Sequence, residues 1–354
     1  MKNWDVIIIG GGIIGLSLSL ELRKQGASVL VVERGEPGRE ASSAAGGMLV
    51  DCTRETLSAL QPLAAASARM YPEFVHELQV ESGLGIDLRD HGTIVFPSLE
   101  PTNEPPGSSP TSPLPTPREL EPALAETNRP AFYVKERSVD PRGLTAAALQ
   151  AAKRRGVDFS SGDAVRSVRL GNERVEGVSA KKTSFFSPVV VNCAGAWSGQ
   201  ITPHAFPTRP VKGQMLCLIS PAPGLLRHVI RAPEVYLIPR SDGRIIVGTT
   251  VEEAGFDKRV DVATIQRLHR AAIALIPELR NARILEDWAG LRPGTPDALP
   301  ILGATATPGY YVATGHFRDG ILLAPITAQV MAQVIAGTNC NYDLKPFTPA
   351  RFPA

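Results

Sequence analysis

Asp5-Val6-Ile7-Ile8-Ile9-Gly10-Gly11-Gly12-Ile13-Ile14-Gly15, then an apolar amphipathic run to Gly26, then Ser28-Val29-Leu30-Val31-Val32-Glu33, is the stretch whose reading decides the fold. It reads as strand, glycine-rich turn, helix, strand and acid. The first strand is β-branched and apolar, as suits one buried on both faces of a parallel sheet. Gly10 permits a tight turn, Gly12 lets a phosphate approach the backbone, and Gly15 lets the helix pack close to the strand. The helix N-terminus offers N–H groups and a positive dipole end to a pyrophosphate. Glu33 lies 18 residues after Gly15, where a carboxylate accepts hydrogen bonds from a ribose. An ordinary βαβ unit would leave three consecutive glycines unexplained, since each costs backbone entropy. The motif alone does not choose between NAD and FAD.

Composition narrows the field. The 354 residues suffice for two domains with cores of their own. The charges nearly cancel, at +2, and no basic or aromatic-interleaved run suggests nucleic acid. Cys52, Cys193, Cys217 and Cys340 have no paired spacing, which argues against a zinc site or a disulfide framework and for a reducing compartment. No metal site is expected. The N-terminal apolar stretch is cut by glycines and does not read as a signal peptide. No uninterrupted apolar run approaches a membrane span. The expectation is a soluble cytoplasmic protein.

Further along, Ala41-Ser42-Ser43-Ala44-Ala45-Gly46-Gly47-Met48 carries almost no side-chain bulk and suits close approach to a large planar or phosphate ligand, although a flexible loop or a capped helix start would also account for it. Helical periodicity runs from Glu55 to Ser82, with Pro62 and Pro72 read as starts or breaks. The segment from Pro97 to Pro122 is crowded with Pro, Ser and Thr and reads as an exposed loop ending in a short helix near 118–125. Asp140-Pro141 begins a helix, as N-cap and first position. Pro188 to Asn192 is a second buried strand, emptying into Cys193-Ala194-Gly195-Ala196-Trp197. From Pro207 to Gly248 the pattern becomes antiparallel strands around a hairpin turn at Ser241-Asp242-Gly243. A strand at 283–288 leads into a turn carrying Arg292, and a final helix is expected from about Ile321 to Ala336. Parallel-sheet pieces thus lie at the beginning, middle and end, with antiparallel pieces inserted. The expected fold class is α/β, a discontinuous Rossmann-like nucleotide domain (1–85, 141–205 and 286–354) with an antiparallel-sheet substrate or cap domain (86–140 and 206–285). This discontinuity favours FAD over NAD.

These residues resemble the D-amino-acid oxidase family of flavoproteins, whose nucleotide domain is of the glutathione-reductase type, and most of all its bacterial glycine oxidases of thiazole (thiamine) biosynthesis. The resemblance covers nearly the whole chain. It is carried by Gly10–Gly15 with Glu33, by Ser42–Met48, by Cys193–Trp197, by Arg209-Pro210-Val211-Lys212-Gly213-Gln214 and by Tyr236–Arg240. Most specific are Trp288-Ala289-Gly290-Leu291-Arg292-Pro293-Gly294-Thr295 and Gly315-His316-Phe317-Arg318-Asp319-Gly320-Ile321-Leu322-Leu323-Ala324-Pro325. The Pro-rich run departs from the family pattern.

The resemblance implies non-covalent FAD, because only Cys340 lies beyond Cys217 and it follows the final helix. It implies cofactor contacts from Gly10, Gly12, Ile13, Ile14, Gly15, Glu33, Arg34, Ser42, Ser43, Gly46, Gly47, Met48, Ala194, Gly195, Trp197, His316, Arg318, Asp319, Gly320, Ile321 and Leu322. It further implies oxidative deamination of glycine or another small amino acid. Hydride would pass from Cα to flavin N5, the imine would hydrolyse to a 2-oxo acid and ammonia, and O2 would be reduced to hydrogen peroxide. A D-amino-acid or sarcosine oxidase and a quinone-linked dehydrogenase are the alternatives. Arg292 matches the carboxylate anchor, whose planar fork pairs bidentately; its alternative is an ion pair with an acid such as Asp297. Tyr236 matches a substrate-side hydroxyl, or else a core tyrosine. Arg318 matches a second basic residue, or else a structural ion pair. His316 reads as structural. Relatives suggest a homo-oligomer.

Overall fold

A computed structural model of the chain describes residues 3–51, 57–97 and 116–352. Cys52, the start of the helical stretch at Glu55 and most of the Pro-rich segment lie outside the described residues. Two large sheets organise the rest. The first has six strands in the order Ile301–Ala304, Tyr310–Thr314, Val189–Asn192, Val6–Ile9, Val29–Glu33, Asp158–Ser161. Five run parallel, and Ile301–Ala304 is antiparallel to its neighbour.

Val6–Ile9 sits in the middle of this sheet and is buried throughout. Its side chains alternate between two cores. Val6 and Ile8 pack among the helices Ile13–Lys24, Gln61–Ser82, Pro141–Arg154 and Ala324–Ala336. Ile7 and Ile9 join Val168, Val175 and Val178 of a three-stranded sheet on the other face. Each such side chain contributes roughly 1.5–3 kcal/mol of burial. A strand covered on both faces therefore needs the continuous apolar run that the sequence carries.

Three expectations change here. Pro72 neither starts nor breaks a helix, because Gln61–Ser82 runs through it. Proline lacks the N–H that would bond the carbonyl four residues back. That carbonyl, of Ala68, accepts instead from Arg137 Nη1 at 3.4 Å. The last helix begins at Ala324, not Ile321, with a turn before it; Pro325 then falls in the first turn, where no N–H donor is required. Arg292 is not in a turn. It lies in the long strand Arg283–Gly294, paired across to Val211.

That strand edges the second sheet, whose order is Arg283–Gly294, Arg209–Ile219, Arg244–Gly248, Tyr236–Pro239, Val229–Arg231, Thr93–Val95, Phe132–Val134. Its pairs are antiparallel except Val229–Arg231 with Thr93–Val95. The helix Val262–Leu275, capped by the Asp261 side chain on Thr264 N, packs on one face. A division of the chain at 286 would cut through a strand of this sheet. The fold class is mixed α/β, with a parallel sheet and a separate antiparallel one.

Candidate active site

A cavity of about 950 Å³ is lined by residues of both large sheets, a volume at the upper end for ligand sites. Its two ends are built differently.

At the first end the wall is backbone. Gly10 has φ +106°, and a Cβ there would sit 2.5 Å from the Cys193 carbonyl oxygen. Only glycine meets both conditions. The Ile13 N–H at the helix start donates to Ser42 Oγ at 2.9 Å, and no acid lies in the first turn to oppose an anion. Glu33 ends its strand with Oε2 accepting from Gly11 N at 2.8 Å and Oε1 from Gly35 N at 2.9 Å. The Arg34 guanidinium lies 3.5 Å over the Trp197 ring and pairs with Glu40 at 2.5 Å.

At the second end the wall is a sheet face, and register assembles it. Arg231 stands opposite Tyr236, Tyr236 opposite Gly248, Gly248 opposite Met215 and Met215 opposite Trp288. Gly213 faces Gly290, and Val211 faces Arg292. Facing residues share a side of the sheet, as do alternate residues along a strand. Arg292, Tyr236, Met215 and Arg231 therefore look the same way, into the cavity. The glycines beneath them clear the floor. A Cβ on Gly213 would overlap the Arg292 guanidinium, and one on Gly248 would come within 2.8 Å of the Tyr236 ring.

Arg292 Nη1 donates to the Thr250 carbonyl at 3.1 Å and Nη2 to Thr249 Oγ1 at 2.9 Å. Among the described residues no carboxylate pairs with it, and Asp297 is held by Arg351 at 2.7 Å. Burial holds the Arg292 pKa below its ordinary value, with the Arg318 cation adding to the effect and the Tyr236 hydroxyl opposing it. Burial likewise raises the Tyr236 phenol against the pull of Arg292. Arg318 is exposed and lies 5.3 Å over Phe317 on the cavity rim. Met48 packs with Met215, Tyr236 and Trp288 as part of the apolar wall.

His316 is buried, shares a hydrogen bond with Thr327 Oγ1 at 3.1 Å, and is driven by burial to a pKa of about 3. It is neutral and locked to the last helix. Asp319, beside it, is pushed up to about 6 by burial, against the Arg318 cation.

Most of the residues anticipated from sequence line this cavity: Gly10, Gly12, Ile13, Ile14, Glu33, Arg34, Ser42, Gly46, Gly47, Met48, Ala194, Gly195, Trp197, Tyr236, Arg292, His316, Arg318, Asp319, Gly320 and Ile321. Gly15, Ser43 and Leu322 stand behind it. A Cβ on Gly15 would overlap the Gly10 carbonyl, so its part is helix–strand packing. Ser43 Oγ donates to the Glu40 carbonyl at 3.2 Å, and the buried Leu322 accepts from Ser67 Oγ at 2.5 Å. Gly213, Met215, Gly248, Thr249 and Gly290 also line the cavity and were not anticipated. For the three glycines the signal was glycine within strand-forming runs, two of them in peptides that carry the family resemblance; Met215 and Thr249 carried none.

Residues 5–334 match the model of one family, described as DAO: FAD dependent oxidoreductase. The chain belongs to this family. Its relatives include a bifunctional protein ThiO/ThiG of Trichormus variabilis, 35% identical over 98% of this chain and 55% of that one. A glycine oxidase of Geobacillus kaustophilus is 31% identical over 99% of this chain and 97% of that one. The chain thus spans about half the length of the bifunctional relatives and nearly all of the glycine oxidases. The crystal structure of glycine oxidase from Geobacillus kaustophilus superposes with a TM-score of 0.90 at 30% identity, covering 100% of each chain.

The family's cofactor is FAD, and this chain fits it. At Gly10 the backbone itself lines the cavity, with positive φ and no room for a Cβ against the Cys193 carbonyl. Beside it the helix Ile13–Lys24 starts with no acid in its first turn. The oriented Glu33 carboxylate keeps lone pairs for ribose hydroxyls. Among the described residues no cluster of His, Cys, Asp and Glu could hold a metal, and no helix is long and apolar enough to cross a membrane.

Proposed function

We propose that this family member oxidises the C–N bond of glycine or another small amino acid, giving an imine that hydrolyses to a 2-oxo acid and ammonia. The single observation that carries this reading is Arg292, free of any described carboxylate, spread on a glycine floor inside the cavity with Tyr236 beside it. When bound, FAD accepts the two electrons and delivers them to O2, releasing hydrogen peroxide.

The chain's own residues bind and orient. Arg292 takes the substrate carboxylate in its fork. Thr249 and Thr250 hold the far side of the guanidinium. The Tyr236 hydroxyl flanks the carboxylate, and Arg318 adds positive potential at the rim. Met48 and Met215 make an apolar wall that favours the neutral amine over the ammonium. No side chain acts as a base. His316, the tempting candidate, is committed to Thr327.

Gly10, Gly12, Ile13, Ile14, Ser42 and Glu33 hold the nucleotide half of FAD, and Gly46, Gly47 and the turn from His316 to Ile321 hold the other half. The cofactor is non-covalent: Cys193 lines the cavity, but it is packed in the core and burial pushes its thiol pKa up, away from the reactive thiolate. Cytoplasmic, homo-oligomeric assembly and a supply role in thiazole synthesis belong to the same proposal, by similarity to relatives whose names carry glycine oxidase and ThiO.

A peroxide assay across glycine, sarcosine, D-alanine, D-proline and L-alanine tests the reading, with glycine expected to be turned over best. Arg292→Leu should retain its yellow flavin and lose at least about tenfold in kcat/KM, since hydrogen bonds to charged groups are worth roughly 1.5–3 kcal/mol. Undiminished amino-acid turnover in that variant would overturn the assignment.

A further inference from the structure

The two oxygens that receive Arg292 belong to a segment without ladder partners of its own. Thr249 and Thr250 follow the end of the strand Arg244–Gly248. Something else must hold them, and the holder lies on the other face of the sheet. Gly213 and Met215 face the cavity; Lys212 and Gln214 alternate with them along the strand and point away. Both are buried, at 5% and 1% exposure. A buried ammonium requires a partner. Glu252 supplies it at 3.6 Å.

Glu252 does more than pair with Lys212. Its backbone is bonded to that of Lys212 in both directions, at 2.9 and 3.0 Å. Its carboxylate also accepts from Gln214 Nε2 at 2.8 Å and from the Thr250 hydroxyl. Thr250 Oγ1 in turn accepts from Gln214 N at 2.9 Å. The Thr249 hydroxyl donates to the Gln214 carbonyl at 3.2 Å. Each hydroxyl has one proton to give. Both protons are spent on this network, so the Thr249 oxygen presents only lone pairs to Arg292. The far end is pinned too, because Gln214 Oε1 accepts from Asp261 N at 2.6 Å, at the start of the helix Val262–Leu275.

We propose that Glu252 is a positioning residue for Arg292. It clamps Thr249–Thr250 through Gln214 and the Lys212 ammonium, so that the guanidinium fork is aimed before substrate arrives. This inference rests on Arg292 as the carboxylate anchor. A half-satisfied buried network is worse than none, so loss of the Glu252 carboxylate releases all three donors together.

Calorimetric titration of the flavin-loaded protein with acetate, which carries the carboxylate and no oxidisable amine, reads the anchor without turnover. Glu252→Ala should weaken acetate about tenfold, and Glu252→Gln, which keeps one acceptor oxygen, about threefold, both with flavin retained. In an Arg292→Lys background, Glu252→Ala should change acetate affinity by less than about twofold, because residues acting as one unit are not additive. Parent-like acetate binding by a folded Glu252→Ala, or losses that multiply in the double variant, would overturn the inference. Should Glu252→Ala not fold, Glu252→Gln is held to the same outcomes. If Arg292→Lys alone leaves acetate binding unchanged, the anchor reading falls and this inference with it. If Arg292→Lys weakens acetate while the Glu252 variants do not, only the inference falls.

Discussion

The two ends of the cavity use glycine for opposite purposes. At Gly10 the absence of a side chain frees the backbone itself, which must turn with positive φ and lie open to a ligand. At Gly213 and Gly248 no positive φ is required, and the missing side chain makes room for other side chains, Arg292 and Tyr236. The first site is mostly local in sequence, running from Gly10 to Ser42, with Cys193 and Trp197 closing it. The second is spread over strands that only sheet register brings together.

Gly10→Val should break this contrast most severely. The substitution imposes unfavourable φ and an overlap with Cys193, costing about 3 kcal/mol or more, and should give a protein without visible flavin absorbance. A yellow, stable Gly10→Val would remove the backbone half of the comparison.

Acid stability is the next probe, at the buried turn around His316. The pKa of His316 falls from 6.5 to about 3 on folding, because burial disfavours its charged form. Between those values the unfolded chain binds a proton that the folded chain refuses. Stability therefore drops as pH falls through this window, by up to about 1.4 kcal/mol per pH unit, or about 2 kcal/mol from pH 6.5 to 5. Denaturant titrations at the two pH values should show this drop, and His316→Gln should shrink it; equal slopes in parent and variant would contradict the buried neutral imidazole.

Gly213→Ala probes the floor on the substrate side. It should keep flavin and raise KM about tenfold by displacing the Arg292 fork. An unchanged KM would show that the guanidinium does not depend on the bare strand beneath it. The smallest effect is expected at Lys258→Ala. Lys258 bridges to Glu40 at 3.1 Å across the surface between the two regions, and exposed pairs of this kind contribute within about 0.5 kcal/mol. A loss of several times that size would mean the two regions are joined more tightly at this surface than their exposure allows.

Legibility follows the same divide. Val6–Ile9, Val29–Glu33 and Val189–Asn192 were readable because each is a continuous apolar run. Asp158–Ser161 was not, being a polar edge strand that joins the sheet through its backbone to Leu30–Glu33. Val229–Arg231 was missed because three residues carry too little pattern. The Asp140 cap was visible and is present, accepting from Arg142 N at 3.0 Å. Pro72 misled because the compensating donor, Arg137, is 65 residues away in sequence.

The sequence by itself determined the strand–glycine–helix unit and the family, and pointed to Arg292 and Tyr236 as candidate site residues. A strand–glycine–helix unit is specified by neighbours along the chain, and Arg292 and Tyr236 sit in peptides distinctive enough to name the family. Only the tertiary structure decided that Arg292 stands on a strand, that Gly213 and Gly248 are its floor and that of Tyr236, and that Thr249 and Thr250 receive its fork. The physical reason is register. A shift of one residue in strand pairing would turn the same side chains to the opposite face, and register depends on pairing between distant strands, which no local pattern records.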